Sequence, residues 1–304
     1  MAASAERMCV YMVLTKGYET LSSQPIAVDS DVDFICFTDD HTLVSNTWDI
    51  RSLDLILPSD PTRSMKFPKL CPHRYLDDYD ISLYIDNNTQ LRQTPEEIVR
   101  QLLPPDTGFA AMFHEIRSRA RQEFETVAQL PHLEMPWVVA EQLAHYQADR
   151  PDVLDSRPIN GSFMLRRHNR KDVERAMERW LIHVLRYSRR DQLSARMAFA
   201  ETDFEPLGLE FDPRDNPFAY KAPRRNFDRK IGGKLPTIAE LDHATDELAS
   251  TNIEVERLTT ENRRLQQATL DTNERIEELE TSTSWHITAP LRVIARRLRK
   301  LRQH

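Results

Sequence analysis

Residues with chemical capability crowd into a few short stretches of this chain. In Asp80-Ile-Ser-Leu-Tyr-Ile-Asp86-Asn-Asn88, four apolar residues and a Ser run into a carboxylate flanked by amides. Ile81–Ile85 reads as a short buried strand. A carboxylate at the C-terminal end of such a strand lies where open α/β sheets bind ligands. Alternate residues of an extended backbone point the same way, so Asp86 and Asn88 can offer two oxygens to one ligand. A hard divalent cation shared with a diphosphate takes such oxygens. The same residues also suit a strand that simply ends in a turn.

A second stretch, Asp60 to Tyr75, is dense in cations: Arg63, Lys66, Lys69, His73 and Arg74. On a helix, Arg63 and Lys66 share a face. Such a pair suits a diphosphate, with Arg supplying planar bidentate donors. A solvated basic face is the plainer alternative, although prolines inside the segment favour a shaped loop. The third stretch is Arg189-Arg190-Asp191-Gln192, which follows a helical pattern containing Trp180. Asp191 there would orient a sugar hydroxyl, cap a helix or form an ordinary ion pair. Asn160-Gly161 would bring backbone amides to a ligand or make a hairpin turn. His114, with Arg117 and Glu123 beyond it, is a further candidate, though a lone His in a helical pattern is more often structural.

These residues need a scaffold. Met8–Leu14, Phe34–Phe37, Ile81–Ile85 and Phe163–Arg166 read as strands. Helical patterns cover about 62–76, 95–103, 114–129, 136–148 and 170–186. Strands alternating with helices predict an α/β sheet with parallel pairs. This globular region extends to residue 236, where Pro223, a charged run from Arg224 to Lys230, Gly232-Gly233 and Pro236 mark a connector.

Residues 237–284 form a different object. Leu241, Leu248, Val255, Asn262, Thr269 and Ile276 fall at position a of one unbroken heptad frame. Ala244, Thr251, Leu258, Leu265, Thr272 and Leu279 fall at d. This predicts a coiled coil over 238–282, with Asn262 favouring a parallel homodimer. A long solvated helix folding back on its own domain is the alternative. In residues 285–304, Leu291, Ile294, Leu298 and Leu301 recur at helical spacing among Arg292, Arg296, Arg297, Arg299, Lys300 and Arg302. A basic amphipathic helix of this kind lies on an anionic membrane surface rather than crossing it. Trp285 suits the interfacial level. RNA or acidic-protein binding is less apt, because an apolar stripe has no use on nucleic acid.

Composition narrows the classes. The net charge of −7 conceals +6 on residues 285–304 and −8 on 238–284. None of the six glycines forms a Gly-x-Gly-x-x-Gly or Gly-x-x-x-x-Gly-Lys-Ser/Thr loop, so a nucleotide would be held by a metal or by Arg and Lys side chains. Cys9, Cys36 and Cys71 fit neither zinc spacing nor a disulfide framework, and read as thiols in a reducing cytosol. No basic region precedes an apolar stretch at the N-terminus, and no window is long and apolar enough to span a membrane.

The ordered succession Lys16-Gly-Tyr18, Phe34-Ile-Cys-Phe-Thr38-Asp39, Asp60-Pro-x-Arg63-x-x-Lys66, Pro72-His73-Arg74-Tyr75-Leu, Tyr79-Asp-x-Ser82-Leu-Tyr-Ile-Asp86-x-Asn88, Leu165-Arg166-Arg167-His168-Asn169 and Ser188-Arg-Arg-Asp191-Gln192-Leu-Ser194 resembles the turgor-defect/mucilage-related glycosyltransferase-like family over about residues 8–215. The resemblance implies a GT-A-type, Rossmann-like mixed sheet flanked by helices, and a metal-linked nucleotide-sugar site. Carried over, Asp86 and Asn88 match the metal position for Mn²⁺ or Mg²⁺. Arg63, Lys66, His73 and Arg74 match the basic segment expected at the diphosphate, and Asp191-Gln192 the late motif expected near the reacting sugar carbon. No His follows Asp191 before His243, so the late His ligand of some retaining enzymes is lacking, which implies either a modest metal affinity or Asp212 as its substitute. The ending Ser284-Trp285-His-Ile-Thr288-Ala-Pro290-Leu-Arg292 is similar to tails of bacterial polysaccharide glycosyltransferases.

The sequence therefore predicts a metal-assisted glycosyltransferase acting on a polysaccharide or glycolipid acceptor. It would be cytoplasmic, peripheral on the inner face of the cell membrane, with no nucleic-acid partner. The rival expectation is a GT-A-like module without catalysis that scaffolds other enzymes through its coiled coil.

Overall fold

The computed structural model describes residues 6–15, 18–223, 238–292 and 294, with backbone alone for 238–246. The chain divides into two compact units, residues 1–232 and 233–304.

The first unit contains β1 (Met8–Leu14), β2 (Asp33–Thr38), β3 (Asp49–Ser52), α1 (Pro61–Ser64), α2 (Lys66–Leu70), β4 (Ile81–Ile85), β5 (Thr89–Leu91), α3 (Pro95–Leu102), β6 (Phe109–Phe113), α4 (Ala120–Ala128), α5 (Pro136–Asp149), β7 (Ile159–Arg166), α6 (Lys171–Arg186), α7 (Ala195–Glu201), β8 (Leu207–Leu209) and β9 (Ala219–Lys221). Seven strands form a mixed sheet in the order β3-β2-β1-β4-β7-β6-β8. Within it β7 runs antiparallel to both neighbours, and the other pairings are parallel. The C-terminal ends of β1 and β4 therefore share an edge with the start of β7. A two-stranded ribbon of β5 and β9 pairs Thr89 with Lys221.

The strands are apolar on both faces because helices cover both. In β1, Cys9, Tyr11 and Val13 point into one core with Tyr84 of β4 and with Val173, Met177 and Trp180 of α6. Val10, Met12 and Leu14 point into the other, with Leu83, Ile85 and the α3 residues Ile98 and Leu102. This is the α/β sheet flanked by helices that the sequence predicts. Several local expectations change. The helix expected over 62–76 is two short helices and a 3-10 turn at Pro72–Arg74. Pro68 fits the first turn of α2, whereas Pro72 has no N–H with which to continue it. The helix expected over 114–129 begins only at Ala120, after the strand Phe109–Phe113. That strand lacks alternation and is short, so its pattern does not identify it.

One buried cation organises the centre. Arg166 of β7 is fully buried. Its guanidinium donates to the carbonyl oxygens of Lys69 (2.9 Å) and Leu70 (3.4 Å) and meets the Tyr11 hydroxyl, which itself donates to the Lys69 carbonyl at 2.9 Å. These carbonyls end α2, where a helix presents its negative pole. The arginine thus fixes the helix that carries Lys66 and Lys69.

In the second unit, α8 (Ile238–Thr281) is followed by α9 (Thr283–Ile287), capped by the Ser282 side chain, which accepts from the Trp285 N–H. Of the expected seam, Leu248, Val255, Leu258, Leu265, Ile276 and Leu279 are 48–65 % exposed. The side chains of Leu241 and Ala244, the connector residues 224–236, and Leu298, Leu301, Arg296, Arg297, Arg299, Lys300 and Arg302 of the tail lie outside the described residues. Arg292 packs 3.6 Å over the Trp285 ring, and Leu291 and Ile294 are exposed. Among the described residues no helix is long and apolar enough to cross a membrane.

Substituting Arg166→Met would leave two carbonyls and a hydroxyl buried without their charged donor. Unfolding in urea should show a loss of about 2–4 kcal/mol. Arg166→Lys should recover only part of it, because one ammonium does not reproduce the planar fork.

Candidate active site

The C-terminal edge of the sheet opens into a cavity of about 420 Å³. Asp86 enters it directly from β4, its backbone N–H donating to the Ser162 carbonyl on β7 at 3.0 Å. Asn160, Gly161 and Ser162 line the wall beside it. Asp191 arrives from a 3-10 turn, Asp191–Leu193, after α6. Its carbonyl accepts the Trp180 indole N–H at 2.7 Å, so the core of α6 fixes the turn.

Three lysines join these carboxylates. Lys66 and Lys69 lie one helical step apart on α2 and share a face. Both ammonium groups are 2.9 Å from Asp191 Oδ2. Lys69 also reaches Asp86 Oδ1 at 3.6 Å, and Lys221 reaches Asp86 Oδ2 at 3.8 Å. Tyr84, two residues before Asp86 on the same face, donates its hydroxyl to Asp86 Oδ1 at 3.0 Å, and its ring lies 4.8 Å from the Lys69 ammonium. A Cβ at Gly161 would sit 3.5 Å from Asp191 Oδ2 and 3.6 Å from Lys69 Nζ, ordinary contact distances.

This array shifts its members' protonation. Burial alone would raise Asp86, but Lys69 and then Lys221 outweigh it and hold the carboxyl at about 2. Burial opposes ionisation of Asp191 too, yet Lys66 and Lys69 keep it well below the usual carboxylate range. Burial brings Lys66 down to about 8 against the pull of Asp191. Lys69 suffers the same burial, but with two carboxylates its affinity for the proton is raised. Burial, followed by the nearby Asp86 charge, pushes the Tyr84 hydroxyl well above its ordinary value.

Arg190 and Gln192 line the cavity, with Arg190 donating to the Gln192 amide oxygen at 3.0 Å. Behind Arg190 stands buried Glu123 at 3.9 Å, itself paired with Arg117 at 2.6 Å and lying 3.7 Å from His114. The His114 cluster therefore serves to back Arg190.

Of the residues singled out in the sequence, the fold brings Lys66, Asp86, Asn88, Asp191 and Gln192 to one cavity. Arg63, His73 and Arg74 do not line this cavity. Arg63 pairs with Asp60 at 2.5 Å and donates to the carbonyls of Val184 (3.2 Å) and Tyr187 (2.5 Å), tying α1 to the end of α6. His73 lies 2.8 Å from Glu178 of α6, and Arg74 Nε donates to the same carboxylate at 2.7 Å. The break in the helix at Pro72 turns both away from Lys66. Asp212 accepts from the Arg214 N–H at 2.8 Å and is not among the residues lining the cavity. The sequence reading gave no role at the site to Lys69, Tyr84 or Lys221, which the structure brings to the cavity. The spacing of Lys69 from Lys66 and of Tyr84 from Asp86 were usable signals. For Lys221 the sequence carried none, because its place depends on pairing across 132 residues.

The sheet and its polar edge cavity define an α/β domain with a ligand-sized site at the C-terminal ends of its central strands. The chain belongs to the TOD1/MUCI70 glycosyltransferase-like domain family, whose model matches residues 2–206. No curated protein sequence matches the chain. Among solved structures it is similar to the WbbM bifunctional glycosyltransferase in its apo form (TM-score 0.41, 11 % identity), over 69 % of this chain and 39 % of that one. It is also similar to mouse xyloside xylosyltransferase 1 in its apo form (TM-score 0.39, 10 % identity), over 68 % of this chain and 85 % of that one. The chain thus spans well under half the length of the bifunctional enzyme.

The donor set at Asp86 does not suit the divalent cation that Asp-x-Asn suggests. Each oxygen of Asp86 faces an ammonium group, and Asp191, the neighbouring carboxylate, is itself engaged by Lys66 and Lys69. Asn88 donates its amide to the Ala222 carbonyl at 3.3 Å, leaving one neutral, buried oxygen without a partner among the described residues. Divalent cations are held by several oxygen ligands turned toward the ion, whereas here three ammonium groups stand against two carboxylates and already engage their oxygens.

Asp191→Asn should strand the buried Lys66 ammonium, leave Lys69 with Asp86 alone, and cost about 3–5 kcal/mol in urea unfolding, with Lys66→Met in the same chain restoring part of the loss. Asp86 and Asp191 both have folded-state values below the ordinary 3.8. Their contribution to stability should be complete above about pH 4 and fall as pH drops from there toward about 2, which acid titration of the melting temperature checks.

Proposed function

We propose that the cavity binds a nucleoside-diphosphate sugar and that the chain transfers the sugar to a polysaccharide or glycolipid acceptor. The observation that carries this reading is the charge of the cavity wall: Lys66, Lys69, Lys221, Arg189, Arg190 and Arg214 outnumber the carboxylates of Glu19, Asp86, Glu115 and Asp191. A concave, fixed cationic wall favours an anion of several charges, and most of all the extra negative charge that a diphosphate leaving group gains as its bond to the sugar breaks. Lys66 and Arg190 lie at the cavity and take the diphosphate role in this reading. Asp191 and Gln192 position the sugar or acceptor, or Asp191 takes the acceptor proton if the reaction inverts.

Titration of UDP-, GDP- and dTDP-linked sugars by calorimetry, with hydrolysis or transfer followed by product analysis, tests the reading. Saturable binding of one of them is expected. If none binds, the cavity is no nucleotide-sugar site, and the scaffold alternative stands in its place. Because Lys66 loses its proton as pH rises through about 8, affinity for the diphosphate should weaken over that range. Lys66→Arg, which keeps its charge there, should remove the dependence.

The exposed seam of α8 supports a parallel homodimer, and exposed Leu291 and Ile294 beside Arg292 support contact with an anionic membrane face. Two tails on one dimer would bind such a surface better than one. Removing residues 237–304 should convert a dimer to a monomer in sedimentation. Removing residues 285–304 alone should abolish flotation with anionic liposomes while leaving the dimer intact.

A further inference from the structure

We infer that Lys221, together with Lys69, occupies the cation position of this site, so that the diphosphate is held by ammonium groups without a divalent metal. The inference rests on the nucleotide-sugar reading above and deepens it.

The geometry around Asp86 is that of a carboxylate whose counter-charges are built in. Oδ1 accepts the Tyr84 hydroxyl at 3.0 Å and faces Lys69 at 3.6 Å, and Oδ2 faces Lys221 at 3.8 Å. A divalent ion ligated by Asp86 would therefore lie close to two like charges.

Asn88 and Thr89 fix the strand that carries the lysine, while Asn88 Oδ1 stays buried without a partner among the described residues. Asn88 brackets Ala222, the neighbour of Lys221. Its carbonyl accepts the Ala222 N–H at 2.8 Å, and its side-chain amide donates to the Ala222 carbonyl at 3.3 Å. Thr89 pairs directly with Lys221 between β5 and β9, and its hydroxyl accepts from the Lys221 ammonium at 2.6 Å. Lys221 is thereby held from its backbone and from its tip. A lysine this well placed is a preorganised donor for phosphate, with no reorganisation needed when the ligand arrives. The carboxylates of Asp86 and Asp191 act as spacers that keep Lys66, Lys69 and Lys221 together despite their mutual repulsion. Asp86 in this scheme ligates no metal and orients two lysines.

The test uses the full chain, freed of metals with EDTA and a chelating resin, and titrated with UDP, GDP and dTDP with and without Mn²⁺ or Mg²⁺. One of these nucleotides should bind without metal, and added metal should change its affinity by no more than about twofold, within the cost of screening one charge contact. Lys221→Gln should weaken that binding by about tenfold or more, the loss expected for one charge-assisted contact, with Mn²⁺ failing to restore it. Lys221→Arg should retain metal-free binding, which separates loss of the cation from loss of the local fold. Binding that requires metal, or that survives Lys221→Gln unchanged, would overturn the inference while leaving the nucleotide-sugar reading intact. Failure of all three nucleotides to bind, with metal and without, overturns both.

Discussion

A lysine shared by two carboxylates is the constraint on which the rest of the site depends. Lys69 comes from a short helix, Asp86 from the end of a central strand and Asp191 from a turn after the longest helix of the sheet unit. All three groups are largely removed from water, and an ion pair of that kind is sustained only if its geometry is good and its remaining valences are met. Removing Asp191 leaves the buried Lys66 ammonium uncompensated, and removing Lys69 or Asp86 leaves the remaining charges with fewer partners. The three segments are therefore held in one arrangement by electrostatic necessity as well as by packing.

The surrounding structure satisfies that requirement layer by layer. Arg166 secures the carbonyl end of the Lys69 helix from beneath, Trp180 secures the backbone of Asp191, and Tyr84 secures the Asp86 carboxylate. Glu123, supported by Arg117 and near His114, backs Arg190. Each contact joins a cavity residue to the apolar core, so the cationic wall is preorganised before any ligand arrives. That is the property a site needs if it is to stabilise charge developing on a leaving group.

The long helix of the second unit follows a different logic. Its apolar residues are too regularly spaced to be incidental, and those whose side chains are described, from Leu248 to Leu279, are exposed. A helix of 44 residues with so little burial gains little from tertiary packing. The proposed homodimer would cover that seam, with Asn262 favouring one register.

The sequence determined the parts of the protein that depend on local pattern. The buried strands Met8–Leu14 and Ile81–Ile85 are apolar on both faces, which only a sheet covered by helices accommodates. Their alternation with amphipathic helices indicated an α/β fold. The carboxylate at the end of one strand and Asp191 after Trp180 were visible as candidates, as was the family to which the chain belongs. Tertiary structure alone decided which cations face those carboxylates. Arg63, His73 and Arg74 look equivalent to Lys66 in a list of charges, but a proline break and the carboxylates of Asp60 and Glu178 turn them elsewhere. Lys221 looks like an ordinary residue near the end of the sheet unit, yet a two-stranded ribbon carries it to Asp86. Secondary structure follows from neighbours along the chain, whereas a buried charge is defined by its neighbours in space, and here those are brought together across as many as 135 residues.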